Sequence, residues 1–233
     1  MHIDRRLETI ANLVPQGCVL ADIGTDHAYL PVWLLDKQRI ARAIAGDIAA
    51  GPCQAARTTV AQFGQHEHVE VRQGSGLKVL SPGEADCIAI AGMGASTIIS
   101  ILEDDTEVAQ SAELLVLQPM AGAASLRAWL CSHGWQGAVE LVDDAPHFYE
   151  IIAAKRGLAP VYSAAECAVG PLLLAQKHPL LGKQLERQLA TCRQLLENMG
   201  RSERARASEK YKEIEALKAE LEVLQNGKRS DSK

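Results

Sequence analysis

Val19-Leu20-Ala21-Asp22-Ile23-Gly24-Thr25-Asp26-His27-Ala28-Tyr29-Leu30-Pro31 runs from a short apolar segment, through a carboxylate and a small-residue loop, into the start of a helix. Val19-Leu20-Ala21 is strand-like and Asp22 closes it. Gly24 permits a tight turn or the close approach of backbone to a ligand. Ala28-Tyr29-Leu30 can begin the helix. Strand, loop and helix in this order make a nucleotide-binding corner of an α/β sheet. A dinucleotide fingerprint would read Gly-x-Gly-x-x-Gly. Only Gly24 fits it, and Asp26 stands where the second glycine would be. A carboxylate facing a pyrophosphate is electrostatically unfavourable, so the loop argues against NAD or ATP phosphates. It suits a ligand with a cationic centre, such as S-adenosylmethionine. The alternative is an ordinary strand-to-helix turn.

Outward from this corner the chain alternates. Before it, Leu7, Ile10, Ala11 and Val14 mark one helix face over residues 4–14, stopped by Pro15-Gln16-Gly17. After it, the pattern predicts a helix over 29–38 and a second strand over 41–47, ending in Asp47, 25 residues beyond Asp22. An acid at this spacing commonly meets a pair of ribose hydroxyls. Asp is also a good helix N-cap, and the two roles are compatible. A helix over 51–63 and a third strand over 69–72 lead into Gln73-Gly74-Ser75-Gly76. A fourth strand over 86–91 is almost wholly apolar, as a central parallel strand should be, and runs into Gly92-Met93-Gly94. A helix over 95–103, a fifth strand over 113–118 closed by Pro119, and a helix over 126–133 follow. Two late strands, 139–142 and 149–155, flank a turn at 143–146. The alternation predicts a doubly wound, Rossmann-like parallel sheet with a final hairpin. The glycine loops after strands 1, 3 and 4 would then share the edge at which open α/β sheets bind ligands.

The 233 residues suffice for one such domain and an appendage. The polar start, Met1-His2-Ile3-Asp4-Arg5-Arg6, has no apolar stretch behind it and does not read as a signal peptide. No apolar run approaches the roughly 18 residues of a membrane span. The six cysteines are scattered without a C-x-x-C, which argues against a zinc site and a disulfide framework. A reducing cytoplasm is the implied setting, with no metal and no membrane partner. From about Ser163 the character changes. Leu181, Leu185, Leu189, Cys192, Leu196 and Met199 recur at three or four residues, and so do Ala207, Tyr211, Ile214, Leu217, Leu221 and Leu224. Gly200-Arg201-Ser202 separates the two runs, a stop followed by a cap. An antiparallel, coiled-coil-like helical hairpin is expected over 163–226, behind a catalytic domain over 1–162. The polar tail 227–233 is expected to be disordered. Net charge is −5, but residues 1–165 carry 11 Lys/Arg against 19 Asp/Glu and residues 166–233 carry 13 against 10. A basic appendage on an acidic body is compatible with nucleic acid meeting the appendage.

These stretches resemble a known family, the bacterial tRNA (adenine-22-N1)-methyltransferases. The likeness is carried by Ala21–Pro31, Ala45-Gly46-Asp47-Ile48, Val71-Arg72-Gln73-Gly74, Ile90-Ala91-Gly92-Met93-Gly94, Leu117-Gln118-Pro119 and Tyr149-Glu150, in the family's order. It implies a class I methyltransferase fold and a monomeric enzyme that uses S-adenosylmethionine to methylate N1 of an adenine in the D arm of tRNA. It implies that the hairpin helps hold the RNA. The chain departs from the family in reading Gly74-Ser75-Gly76-Leu77 where Gly-Asp-Gly-Leu is usual, and Gln118-Pro119-Met120 where Gln-Pro-Asn is usual.

Asp22, Gly24, Asp26, His27, Tyr29, Asp47, Ile48, Gly74, Ser75, Gly76, Ala91, Gly92, Met93 and Gly94 are the cofactor candidates. Gln118, Pro119 and Tyr149 are candidates for the base pocket, and Arg201, Arg204 and Arg206 at the hairpin tip for the RNA backbone. His27 could relay a proton or simply bind cofactor or backbone. Tyr149 could stack on a base or belong to the core. No residue stands out as a general base. Two rival readings are a methyltransferase acting on a small molecule or protein, and a non-catalytic RNA-binding protein with a decayed cofactor site.

Overall fold

The computed structural model describes residues 1–143, 148–158 and 160–230, and the chain divides into two units, Met1–Pro160 and Val161–Lys233. The first unit runs α1 (Arg5–Leu13), β1 (Val19–Ile23), α2 (Tyr29–Asp36), β2 (Arg42–Asp47), α3 (Ala50–Gln62), β3 (Val69–Gln73), a single 3-10 turn (Gly76–Val79), β4 (Cys87–Met93), α4 (Ala95–Asp104), α5 (Thr106–Ser111), β5 (Leu114–Pro119), α6 (Ala123–Ser132), β6 (Trp135–Asp143) and β7 (Tyr149–Arg156). The seven strands form one sheet in the order β3-β2-β1-β4-β5-β7-β6. β1 to β5 are parallel, while β7 pairs antiparallel with both β5 and β6. The expected doubly wound sheet with a closing hairpin is therefore present. The order reverses between β1 and β4, which is where such sheets open a crevice.

Strand alternation divides the core between the two sheet faces. Ala21, Ile23, Ile88, Ile90, Leu115 and Leu117 pack on one face with Ile98 and Leu102 of α4 and Leu126 and Leu130 of α6. Leu20, Ala43, Ala45, Cys87, Ala89 and Val116 pack on the other with Ile10 of α1, Leu30 and Leu34 of α2, and Val60 of α3. Helices cover both faces, which is why the central strands read as continuous apolar runs.

Four differences from the sequence reading have local causes. β4 continues to Met93 rather than ending at Ala91, because a register shift between Ala91 and Met93 lets Met93 still pair with Pro119. β6 starts at Trp135, and the shift between Gly137 and Val139 interrupts the alternation that would have revealed it. Neither the 3-10 turn nor α5 was expected. Asp105 starts α5 by accepting the Val108 N–H. The expected turn at 143–146 lies, beyond Asp143, outside the described residues.

The second unit holds α7 (Ala164–Val169), α8 (Pro171–Ala175), α9 (Leu181–Gly200), α10 (Glu203–Arg206) and α11 (Glu209–Ser230). Ser163 and Glu166 form a capping box at the start of α7. Leu181, Leu185, Leu189 and Cys192 of α9 are buried, as are Ile214 and Leu221 of α11. The guanidinium of Arg193 on α9 lies 4.0 Å from the Glu222 carboxylate on α11. Two long helices were expected; the short α7 and α8 before them were not. α11 continues to Ser230, past residue 226 where the polar tail was expected to begin, and 231–233 lie outside the described residues. Among the described residues no helix is long and apolar enough to cross a membrane, and no group of three or more His, Cys, Asp or Glu could hold a metal ion.

Candidate functional site

The loop after β1 is wound tightly. Gly24 (φ +74°) and Thr25 donate their N–H groups to the Gly46 carbonyl at the end of β2, at 2.8 and 3.1 Å. A Cβ built on Gly24 would lie 2.1 Å from Met93 Cε. The left-handed backbone therefore favours glycine, and the flexible end of the Met93 side chain packs into the space a Cβ would fill. Asp26 and Ala28 also hold positive φ, 52° and 55°, a conformation uncommon for residues with a Cβ and frequent at ligand sites. Gly24 lines two cavities, one of about 330 Å³ and one of about 270 Å³.

The first cavity gathers Asp22, Asp26, His27, Tyr29, Ala91 and Gly92 from the expected set, and adds Arg6 and Thr25. Asp22 is buried, and the Thr25 hydroxyl donates to its Oδ2 at 2.6 Å. Burial pushes the Asp22 carboxyl up to about 6, against the opposing pull of that hydroxyl and of the Arg6 guanidinium. His27 and Tyr29 stack with ring centroids 5.1 Å apart, and His27 Nε2 lies 3.6 Å from Asp26 Oδ1.

Gln118 is wholly buried and lines neither cavity. Its Oε1 accepts from Arg6 Nη1 at 2.8 Å and from the Gly92 N–H at 3.2 Å, while its Nε2 donates to the Pro119 carbonyl at 3.1 Å. It ties α1 to the end of β4 and so positions Arg6 at the cavity wall. Tyr149 is also buried. Its hydroxyl lies 3.3 Å from Thr9 Oγ1, and burial raises its phenol. It lines neither cavity, so its surroundings are those of the core.

The second cavity gathers Asp47, Ile48, Gly74, Ser75, Gly76 and Met93, and adds Thr97, Ser100, Ile101 and Asp104 from α4. Asp47 Oδ1 accepts the Ala49 N–H at 2.9 Å. The residue capping α3 is Ala49, so Asp47 braces the turn ahead of the helix and is not its N-cap. The Gly74 N–H donates to the Asp47 carbonyl at 2.9 Å and joins the loops after β2 and β3. Ile48 is 69% exposed, an apolar side chain left uncovered at the cavity wall. Gly94 lines neither cavity and caps α4. Arg201, Arg204 and Arg206 belong to the second unit, where Arg201 lies 3.2 Å from Glu197.

Arg6 and Thr25 in the first cavity, and the α4 residues in the second, line the site without having been expected from the sequence. Thr25 stood inside the decisive loop, where its distance of three from Asp22 was the available signal. Nothing local marks Arg6, because its partner Gln118 is 112 residues away.

The donor set fits one kind of ligand. Two carboxylates, Asp47 and Asp104, and an apolar wall suit a nucleoside on one side of Gly24. Three carboxylates, Asp4, Asp22 and Asp26, and the Arg6 guanidinium on the other suit a zwitterionic, amino-acid-like end. Together with the strand order, these features define a Rossmann-like methyltransferase that uses S-adenosylmethionine. The chain matches the methyltransferase domain family over residues 3–152. It is 34% identical over 230 residues to the tRNA (adenine(22)-N(1))-methyltransferase of Bacillus subtilis (strain 168), covering 96% of each chain. The crystal structure of the B. subtilis m1A22 tRNA methyltransferase TrmK superposes with a TM-score of 0.87 at 32% identity, covering 96% of this chain and 99% of that one. A Streptococcus pneumoniae protein, Sp1610, solved in complex with S-adenosyl-L-methionine, superposes with a TM-score of 0.83 at 31% identity, covering 96% and 100%. The chain belongs to the tRNA (adenine(22)-N(1))-methyltransferase family.

Proposed function

We propose that the protein methylates N1 of adenine 22 in the D arm of tRNA, using S-adenosylmethionine. The observation that carries this reading is the pair of cavities meeting at Gly24, with Asp47 on one side and Asp22, Asp26 and Arg6 on the other. Asp47 would hold the ribose hydroxyls and Ile48 would cover the adenine face. Asp22 would hold the methionyl ammonium and Arg6 the carboxylate. When bound, S-adenosylmethionine supplies a methyl group made electrophilic by its sulfonium.

Adenine N1 is a neutral nucleophile with an in-plane lone pair, so the residues need to align more than to activate it. This fits the lack of an evident general base. Methylation leaves the target adenine positive, and the carboxylates of the first cavity and the carbonyl dipoles at the end of β4 favour that charge. N1 lies on the Watson–Crick edge, so a paired target must leave its stack to react. Residues 163–226 form the RNA-holding element in this reading, and one chain carries both parts, so a monomer suffices. A reducing cytoplasm suits a tRNA substrate and the buried thiols of Cys18, Cys53, Cys87 and Cys192.

The test is mass spectrometry of nucleosides from tRNA incubated with protein and S-adenosylmethionine. The expected product is 1-methyladenosine, lost when adenine 22 is replaced. Cofactor binding without any methylated nucleoside would transfer the activity to another class of substrate.

A further inference from the structure

α4 lines the second cavity with Thr97, Ser100, Ile101 and Asp104. Their spacing of three, one and three places them on one stripe of the helix. A Cβ built on Gly76 would lie 3.2 Å from Ile101 Cγ2, so the stripe packs close against the Gly74-Ser75-Gly76 loop. Asp104 is the last residue of α4, where the negative end of the helix dipole opposes a carboxylate. The acids on either side are engaged. Glu103 accepts from Trp129 Nε1 at 2.6 Å, and Asp105 caps α5. The Asp104 carboxylate makes no hydrogen bond or ion pair among the described residues. The fold thus carries an exposed, unfavourably placed charge in the wall of a cavity suited to a nucleoside.

Ser75, on the facing loop, offers this cavity a hydroxyl that can donate as well as accept. A carboxylate only accepts. Asp47, the other carboxylate in the wall, is already engaged with the Ala49 N–H and assigned to the ribose. An adenine presents an exocyclic 6-amino donor, whereas a 6-oxo purine presents an acceptor there. Resting on the S-adenosylmethionine reading, we propose that Asp104 is the specificity-determining acceptor for the 6-amino group of the cofactor's adenine. It attracts an amino purine and repels an oxo purine through one charge.

Calorimetry on the full-length protein with S-adenosylhomocysteine and S-inosylhomocysteine tests the assignment. The two ligands differ at the purine 6-position, amino against oxo, and in the proton that the oxo form carries on N1. The wild type is expected to prefer the adenosyl ligand by at least about tenfold, the scale of one charge-assisted hydrogen bond. Asp104→Ala is expected to bring the ratio close to one, mainly by weakening the adenosyl ligand, and Asp104→Asn to fall between. Ser75→Ala is expected to keep the wild-type ratio. Loss of an acid from a helix C-terminus should leave the melting temperature unchanged or raised, which monitors folding. A wild-type ratio in Asp104→Ala, or its collapse in Ser75→Ala instead, would overturn the assignment while leaving the cofactor reading intact. Failure of the wild type to bind either ligand would overturn the cofactor reading itself.

Discussion

The two units of this chain use charge in opposite ways. The sheet unit carries 11 Lys/Arg against 19 Asp/Glu, and Asp22 and Asp47, at the C-terminal ends of β1 and β2, line cavities at one sheet edge. The helical unit carries 13 against 10, with its apolar seam buried and most charges exposed along α9, α10 and α11. An acidic edge favours a cationic small ligand and disfavours a phosphate backbone. A basic helical surface does the reverse. Binding of cofactor and binding of tRNA should therefore be separable.

Removal of the helical unit after Pro160 tests this division most strongly. Affinity for S-adenosylmethionine should stay near normal, while tRNA methylation falls by orders of magnitude. Gel filtration and thermal melting would establish that the truncated unit remains folded. The milder version reverses the charges of Arg201, Arg204 and Arg206, which should flatten the dependence of tRNA affinity on salt concentration. Full-rate methylation by a soluble truncated protein would rule out the RNA-holding role.

The next effect is confined to the acidic edge. Asp47→Ala should weaken S-adenosylmethionine at least about tenfold, since each hydrogen bond from ribose to a charged acceptor is worth about 1.5–3 kcal/mol. tRNA affinity without cofactor should not change. Equal cofactor affinity in a folded variant would remove Asp47 from the site.

The smallest expected effect is a pH dependence. The Asp22 carboxyl is raised from 3.8 to about 6 in the folded protein, so between those values the folded state holds a proton that the unfolded state has released. Stability from neutral Asp22 is fully present below about 3.8 and is lost as pH rises through about 6. Binding of an ammonium group has the opposite sign, because it needs the carboxylate. S-adenosylmethionine affinity should therefore rise with pH up to about 6 and then level, changing by up to about tenfold per unit below it. Asp22→Asn should flatten the profile. A slope that survives Asp22→Asn would assign the titration elsewhere.

Strand alternation and the glycine loops were legible because both are local. Residues two apart share a sheet face, and Gly24 announces its left-handed turn within five residues. The acids Asp22 and Asp47 were legible for the same reason, each closing its own strand. The long helices show a repeat of three and four, whereas α7 and α8 are too short to show one. The strand over 139–142 was legible, but the first residues of β6 hid behind the irregularity between Gly137 and Val139.

The amino-acid sequence by itself determined the order of strands and helices, the edge at which the loops gather, and the acids that line it. Those features follow from side-chain periodicity and from single residues with special backbone freedom. Only the tertiary structure decided what each side chain meets. It made Gln118 a buried brace for Arg6 across 112 residues. It put Tyr149 against Thr9 rather than in a cavity, and turned Asp104, rather than its neighbours Glu103 and Asp105, to the second cavity. Contacts of this kind depend on the packing of distant elements, and no local pattern in the chain encodes them.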